Sequence, residues 1–162
     1  MDTYETEKQR VIRAFQLYAM ATGGLSECSL TSPASLEEEN TLDPLRTFTT
    51  LLANFCVTWS GHNPELNAVL GALDVWQNVM NTCGFHCCQV ASTAMHRETT
   101  VAQKELMARE IWARAFLENV FARVMDGVET EGHLDVRDEL VARNLITHDA
   151  CDAMQQTALR LA

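Results

Sequence analysis

The chain has 162 residues, 47% of them hydrophobic and 21% charged, enough to bury one core without disulfides or metal and too apolar for disorder. Its formal net charge of −10 speaks against nucleic acid and anionic membrane surfaces, both of which need clustered Lys and Arg. With three prolines, seven glycines and no sustained β-branched alternation, an all-α fold is expected.

No apolar run approaches the roughly 18 residues of a spanning helix, and Met1–Arg10 is too charged for a signal peptide. A soluble, intracellular protein is therefore expected, in which six cysteines need not pair.

The first helical pattern covers about Tyr4–Met20, with Val11, Phe15 and Tyr18 at i, i+4 and i+7, joined by Ile12. Thr22–Asp43 lacks periodicity and is rich in Ser, Thr, Gly and Glu, so residues 22–42 read as a flexible loop. Asp43 as N-cap and Pro44 in the first turn restart a helix, along which Leu45, Phe48, Leu52 and Phe55 form one stripe. Asn63-Pro64 repeats that start signal. Leu66–Met80 follows as one or two short helices, divided near Gly71.

Gly84–Met95 is apolar nearly all round, the signature of a helix wrapped by others at the centre of a bundle. Val101–Met125 carries Trp112, Phe116, Val120 and Val124 at steps of four, backed by Leu117 and Phe121. A short helix takes Val136–Arg143. Thr147 caps a last one with the stripe Cys151, Met154, Ala158 and Leu161, so that residues 144–162 form a C-terminal amphipathic segment. The expected whole is a single helical domain over residues 1–162, with about eight helices.

The cluster Cys83, His86, Cys87 and Cys88 invites a metal reading. On a helix starting at Gly84, however, Cys87 and Cys88 project about 100° apart, and Cys83 with His86 or Cys87 supplies two or three ligands where structural zinc takes four. No second CxxC or HxxxH pair completes the set. A catalytic thiol would need an orienting base and an electropositive setting, which the local sequence lacks. Buried core is the better reading of these cysteines. No Gly-rich phosphate loop, HExxH, GxSxG or catalytic carboxylate pair appears, so neither enzyme nor cofactor is expected.

The same residues resemble a family, the B-cell lymphoma 2 (Bcl-2) regulators of apoptosis, whose fold wraps amphipathic helices around a very apolar central one. The opening "YETEKQRVIRAFQLYAMATGG" looks like the family's first helix. In the first homology motif an apolar helix runs into Asn-Trp-Gly-Arg. Here Val75, Trp76 and Met80 fall on its apolar positions, and Thr82, Cys83, Gly84 and Phe85 replace the tetrapeptide, with the glycine alone retained. The third motif, Leu-x-x-x-Gly-Asp, looks like "LRTFTTLLANF", with Leu45 on the leucine and Thr49-Thr50 in place of Gly-Asp. The second motif maps to Gly132-His133 without its tryptophan. The resemblance covers roughly Tyr4–Arg143 and rests on helix order and spacing more than on identity.

The resemblance implies an apoptosis inhibitor that sequesters amphipathic pro-apoptotic helices in a hydrophobic groove. The implied walls are Leu52 and Phe55, then Leu66, Leu70, Leu73 and Val79, then Phe85 and Cys88, with Gly84 admitting the ligand helix closely. The family arginine pairs with an aspartate of the ligand, and Phe85 cannot replace it. Divergent motifs and the lack of a membrane tail are features of viral members, which implies a cytoplasmic protein, peripheral at host mitochondria. The rival expectation is an all-α interaction or oligomerisation module without a peptide groove, in which the terminal helix fills a groove in cis or joins two chains.

Overall fold

The computed structural model describes residues 3–22, 35–83, 101–128 and 130–161. These hold six α-helices and no strand: α1 (Thr3–Thr22), α2 (Ser35–Trp59), α3 (Leu66–Cys83), α4 (Val101–Asp126), α5 (Gly132–Ala142) and α6 (His148–Leu161). The all-α expectation holds. The number is six among the described residues rather than about eight, and the expected central helix, Gly84–Met95, lies outside them.

Three boundaries differ from the sequence reading, each for a physical reason. α2 begins at Ser35, so the part of the expected loop from residue 35 onward is helical. Glu37, Glu38 and Glu39 are good helix formers near a helix N-terminus, and Pro44 sits within the helix, where it removes a single backbone donor. α3 runs unbroken through Gly71, because the glycine there serves packing and not a turn. α5 starts at Gly132, a turn earlier than Val136.

The helices end in three kinds of stop. Trp59 ends α2, and its carbonyl oxygen accepts from the backbone N–H of His62 and of Asn63, both at 2.9 Å, before Pro64 starts the next turn. α4 ends at Gly127, whose φ of 72° is left-handed and whose N–H donates to the Arg123 carbonyl at 3.0 Å. α5 ends differently. Asn144, at φ 57°, donates its N–H to Val141 at 2.9 Å while Leu145 donates to Leu140 at 3.0 Å, the paired bonds of a Schellman stop with Asn where Gly is usual. Thr147 then caps α6, its hydroxyl accepting from the Ala150 N–H at 3.1 Å.

α1 packs on α2, α2 on α3, and α3 on α4, with α5 and α6 closing the far side of the α3–α4 pair. Aromatic rings bind the first side: Phe15 of α1 stacks on Phe121 of α4 at 4.8 Å, and Phe48 of α2 lies edge-on to Phe121 at 5.7 Å. At the opposite end of α1, Tyr4 meets Phe55, Trp59 and His62, and Trp59 donates its indole N–H to Glu7.

Among the described residues, the segment covered on every side is the middle of α4. Every residue from Glu110 to Leu117 is buried, including the charged Glu110 and Arg114, which pair with each other one turn apart. That property was expected of Gly84–Met95. It was hidden in α4 because two charges within a single turn lower the local hydropathy and mimic a wet face.

Candidate helix-binding surface

Of the nine residues that the resemblance placed along a groove, six lie among the described residues. Leu52, Phe55, Leu66 and Leu73 are at most 3% exposed and form core between α2, α3 and α4. Leu70 and Val79 are partly buried and packed against that core. Gly84, Phe85 and Cys88 lie outside the described residues, as do His86 and Cys87. Where α2 and α3 run side by side there is a concavity of about 280 Å³, but Arg46, Thr49, Asp74, Gln77 and Asn81 make it polar, with Met80 as apolar floor.

The close helix–helix seat lies on another face of α3. On α3's turns, Ala68, Gly71, Ala72 and Val75 fall on one side, away from the side carrying Leu66, Val69, Leu73 and Trp76. α6 packs there. A Cβ at Gly71 would overlap the carbonyl oxygen of Ala158 and stand 3.1 Å from its carbonyl carbon, so the two backbones touch where the glycine has no side chain. Cys151, Met154 and Ala158 are the buried stripe of α6. Leu161, expected on that stripe, is 52% exposed instead.

Charge fixes the other flank of α6. Arg137 of α5 donates through Nε to His148 Nδ1 at 3.1 Å and pairs with Asp152 at 2.8 Å, holding two points of α6 from one side chain.

Beside this seat, α3, α4, α5 and α6 enclose a cavity of about 130 Å³ between Ala68, Phe116, Arg123, His133, Gln155 and Ala158. His133 stands edge-on to Phe116 at 5.4 Å, and its Nδ1 is buried without a hydrogen-bond partner. Burial lowers the His133 pKa below 6.5; Glu131 opposes that shift, while Arg137 and Arg123 add to it. The imidazole is therefore neutral at neutral pH.

Among the described residues, the two free thiols are buried. Burial pushes Cys56 up to about 12, and Cys151 is raised chiefly by burial as well. Among the described residues, no three His, Cys, Asp or Glu side chains come together in a way that could hold a metal ion, and no helix is long and apolar enough to cross a membrane.

Neither a protein-family model, nor a curated protein, nor a solved structure matches this chain.

The Gly71–Ala158 contact, Arg137 and the Glu110–Arg114 pair escaped the sequence reading. A glycine inside a helical pattern signals either a break or a close backbone approach, and nothing local separates the two.

Proposed function

We propose that this chain is a helical interaction protein of the Bcl-2 type, which sequesters amphipathic pro-apoptotic helices and acts by binding rather than by catalysis. The observation that carries the reading is the α3 seat: a stripe of small residues, opened by Gly71, on which an amphipathic helix already rests in backbone contact. Helix-in-groove recognition uses that geometry, with anchors at i, i+3 or i+4, and i+7. Cys151, Met154 and Ala158 of α6 stand at i, i+3 and i+7. The net charge of −10 favours partners whose polar flank carries Lys and Arg. Its place of action under this reading is the cytoplasm, at the surface of host mitochondria.

Three or four apolar anchors at about 1.5–3 kcal/mol each supply roughly 5–12 kcal/mol before the cost of association. Nanomolar affinity needs about 12 kcal/mol net, so micromolar binding is expected. Calorimetric titration with a panel of amphipathic pro-apoptotic helices tests this, each helix run beside a version with its central leucine changed to alanine. Saturable binding that the alanine change abolishes is the expected outcome. A folded protein that binds none of them would end the reading.

A second reading draws on a different observation. With Leu52, Phe55, Leu66 and Leu73 buried as core, the chain also fits an interaction or oligomerisation module in which the only helix seated is its own α6 or that of another copy.

A further inference from the structure

We propose that two copies of this chain associate by exchanging α6, each α6 seating on the α3 stripe of the other. Three features point the same way. The first is where α6 is held. Its packing is chiefly on α3, far away in sequence, and only slight on α5, its neighbour in the chain. Besides the Arg143–Thr147 connection, the ties between α6 and the preceding helix are the Arg137 links to His148 and Asp152.

The second feature is the composition of that connection. Ser60–Glu65 contains Gly61 and Pro64, and the turn after α4 contains Gly127 at φ 72°; both are committed to turning. Arg143-Asn144-Leu145-Ile146-Thr147 contains neither Gly nor Pro, and every residue in it can be helical. Its reversal depends on one non-glycine residue, Asn144, held at φ 57°. L-residues reach that region at a cost, and Asn tolerates it better than most. If Asn144 relaxes to right-handed helix, α5 and α6 become one continuous helix and α6 leaves its own α3.

The third feature is that exchange preserves the α6 seat; its cost falls on the connection, where Ile146 is buried and Leu145 packs on the core. The Gly71–Ala158 contact, the buried stripe of α6 and the Arg137 links to His148 and Asp152 all re-form between chains. The cavity beside the seat becomes composite, with Gln155 and Ala158 supplied by the other copy. Short hinges under strain are the known route to this kind of exchange.

The hinge gives the cleanest test, because Asn144 is exposed and can be changed without touching either packed face. Asn144→Ala disfavours the left-handed turn and should shift the monomer–dimer balance toward dimer by about fivefold or more per hinge. Asn144→Gly relieves the turn and should shift it the other way. Both are read by size-exclusion chromatography with light scattering over a range of concentrations of the full chain. Equal dimerisation of both variants and the parent, or none in any of them, overturns exchange.

A second experiment identifies the surface. Gly71→Ala spoils the α3 seat and Met154→Asp spoils α6. Each chain alone should stay monomeric, while refolding the two together should give a heterodimer with one intact seat. Dimers in the separate chains as abundant as in the mixture would place association on some other face and overturn the proposal. So would a monomer that fails to exchange but binds an added α6 peptide, since the seat would then serve a foreign helix.

Discussion

Glu110 and Arg114 are the two charged side chains among the buried residues, and they touch each other. Removing water from two ions costs several kcal/mol each, which the pair returns only while both members are present. Arg114→Ala should therefore lower stability by about 3–5 kcal/mol in urea unfolding, far beyond an ordinary surface change, because Glu110 loses the guanidinium beside it. Glu110→Leu with Arg114→Met, which removes both charges at similar volume, should be neutral or stabilising by about 1–4 kcal/mol. If the single and double variants fell equally, the pair would have no such coupling.

His133 titrates at the same scale, and the sign of its effect follows from burial. Its pKa is lower in the folded protein than the unperturbed 6.5, so the unfolded chain binds the proton more readily. Its contribution to stability is whole above pH 6.5 and is lost as pH falls from there through the lowered folded value. His133→Phe keeps the ring beside Phe116 and removes the proton. The urea midpoint of that variant should decline less below pH 6.5 than the parent's; equal declines would show that other groups dominate.

At the scale of the helices, Gly71 is the position on which the bundle's last contact turns. Gly71→Ala should lower the melting temperature by an amount equivalent to about 1–3 kcal/mol, the usual range for overpacking, because the neighbour is backbone and cannot rotate away. Ala68→Gly, one turn earlier and partly buried, should have a smaller effect; similar losses at both sites would deny Gly71 its special place.

The elements were unevenly legible. Val11 and Tyr18 in α1, Phe48, Leu52 and Phe55 in α2, and Trp112, Phe116 and Val120 in α4 lie buried where their spacing put them, because amphipathic periodicity is written locally. The start of α2 was not legible: Asp43-Pro44 is a strong local signal, and the preceding residues extend the helix past it. The role of Gly71 depends on Ala158, far along the chain, and no local pattern encodes that contact. Which of the expected groove residues belong to the core was illegible for a related reason. Leu52 and Leu73 mark apolar faces, but which apolar face meets the core and which meets a ligand is decided by the other helices.

Over the whole molecule, α3 is the shared element. It touches α2, α4 and α6, so it carries core on one side and the α6 seat on another. Anything that loosens α6 exposes small residues of α3, while the opposite side of α3 stays packed in the core. The proposed partner binding and the proposed copy exchange would both draw on that arrangement and compete for one surface. The two are separable because a partner helix raises the melting temperature with its own concentration, whereas exchange does so with that of the protein.

The eight consecutive buried residues of α4, Glu110–Leu117, carry a consequence of another kind. A helix at a surface is oriented by water, which admits its polar face and rejects the other. Glu110–Leu117 has no wet face, so burial alone does not choose its rotation about its own axis. Within that segment two things set the angle: the contrast of Ala113 and Ala115 with Trp112 and Phe116, and a pair of opposite charges whose demands are met in few orientations. An all-apolar α4 would then gain free energy and lose register, holding the bundle tightly in more than one way.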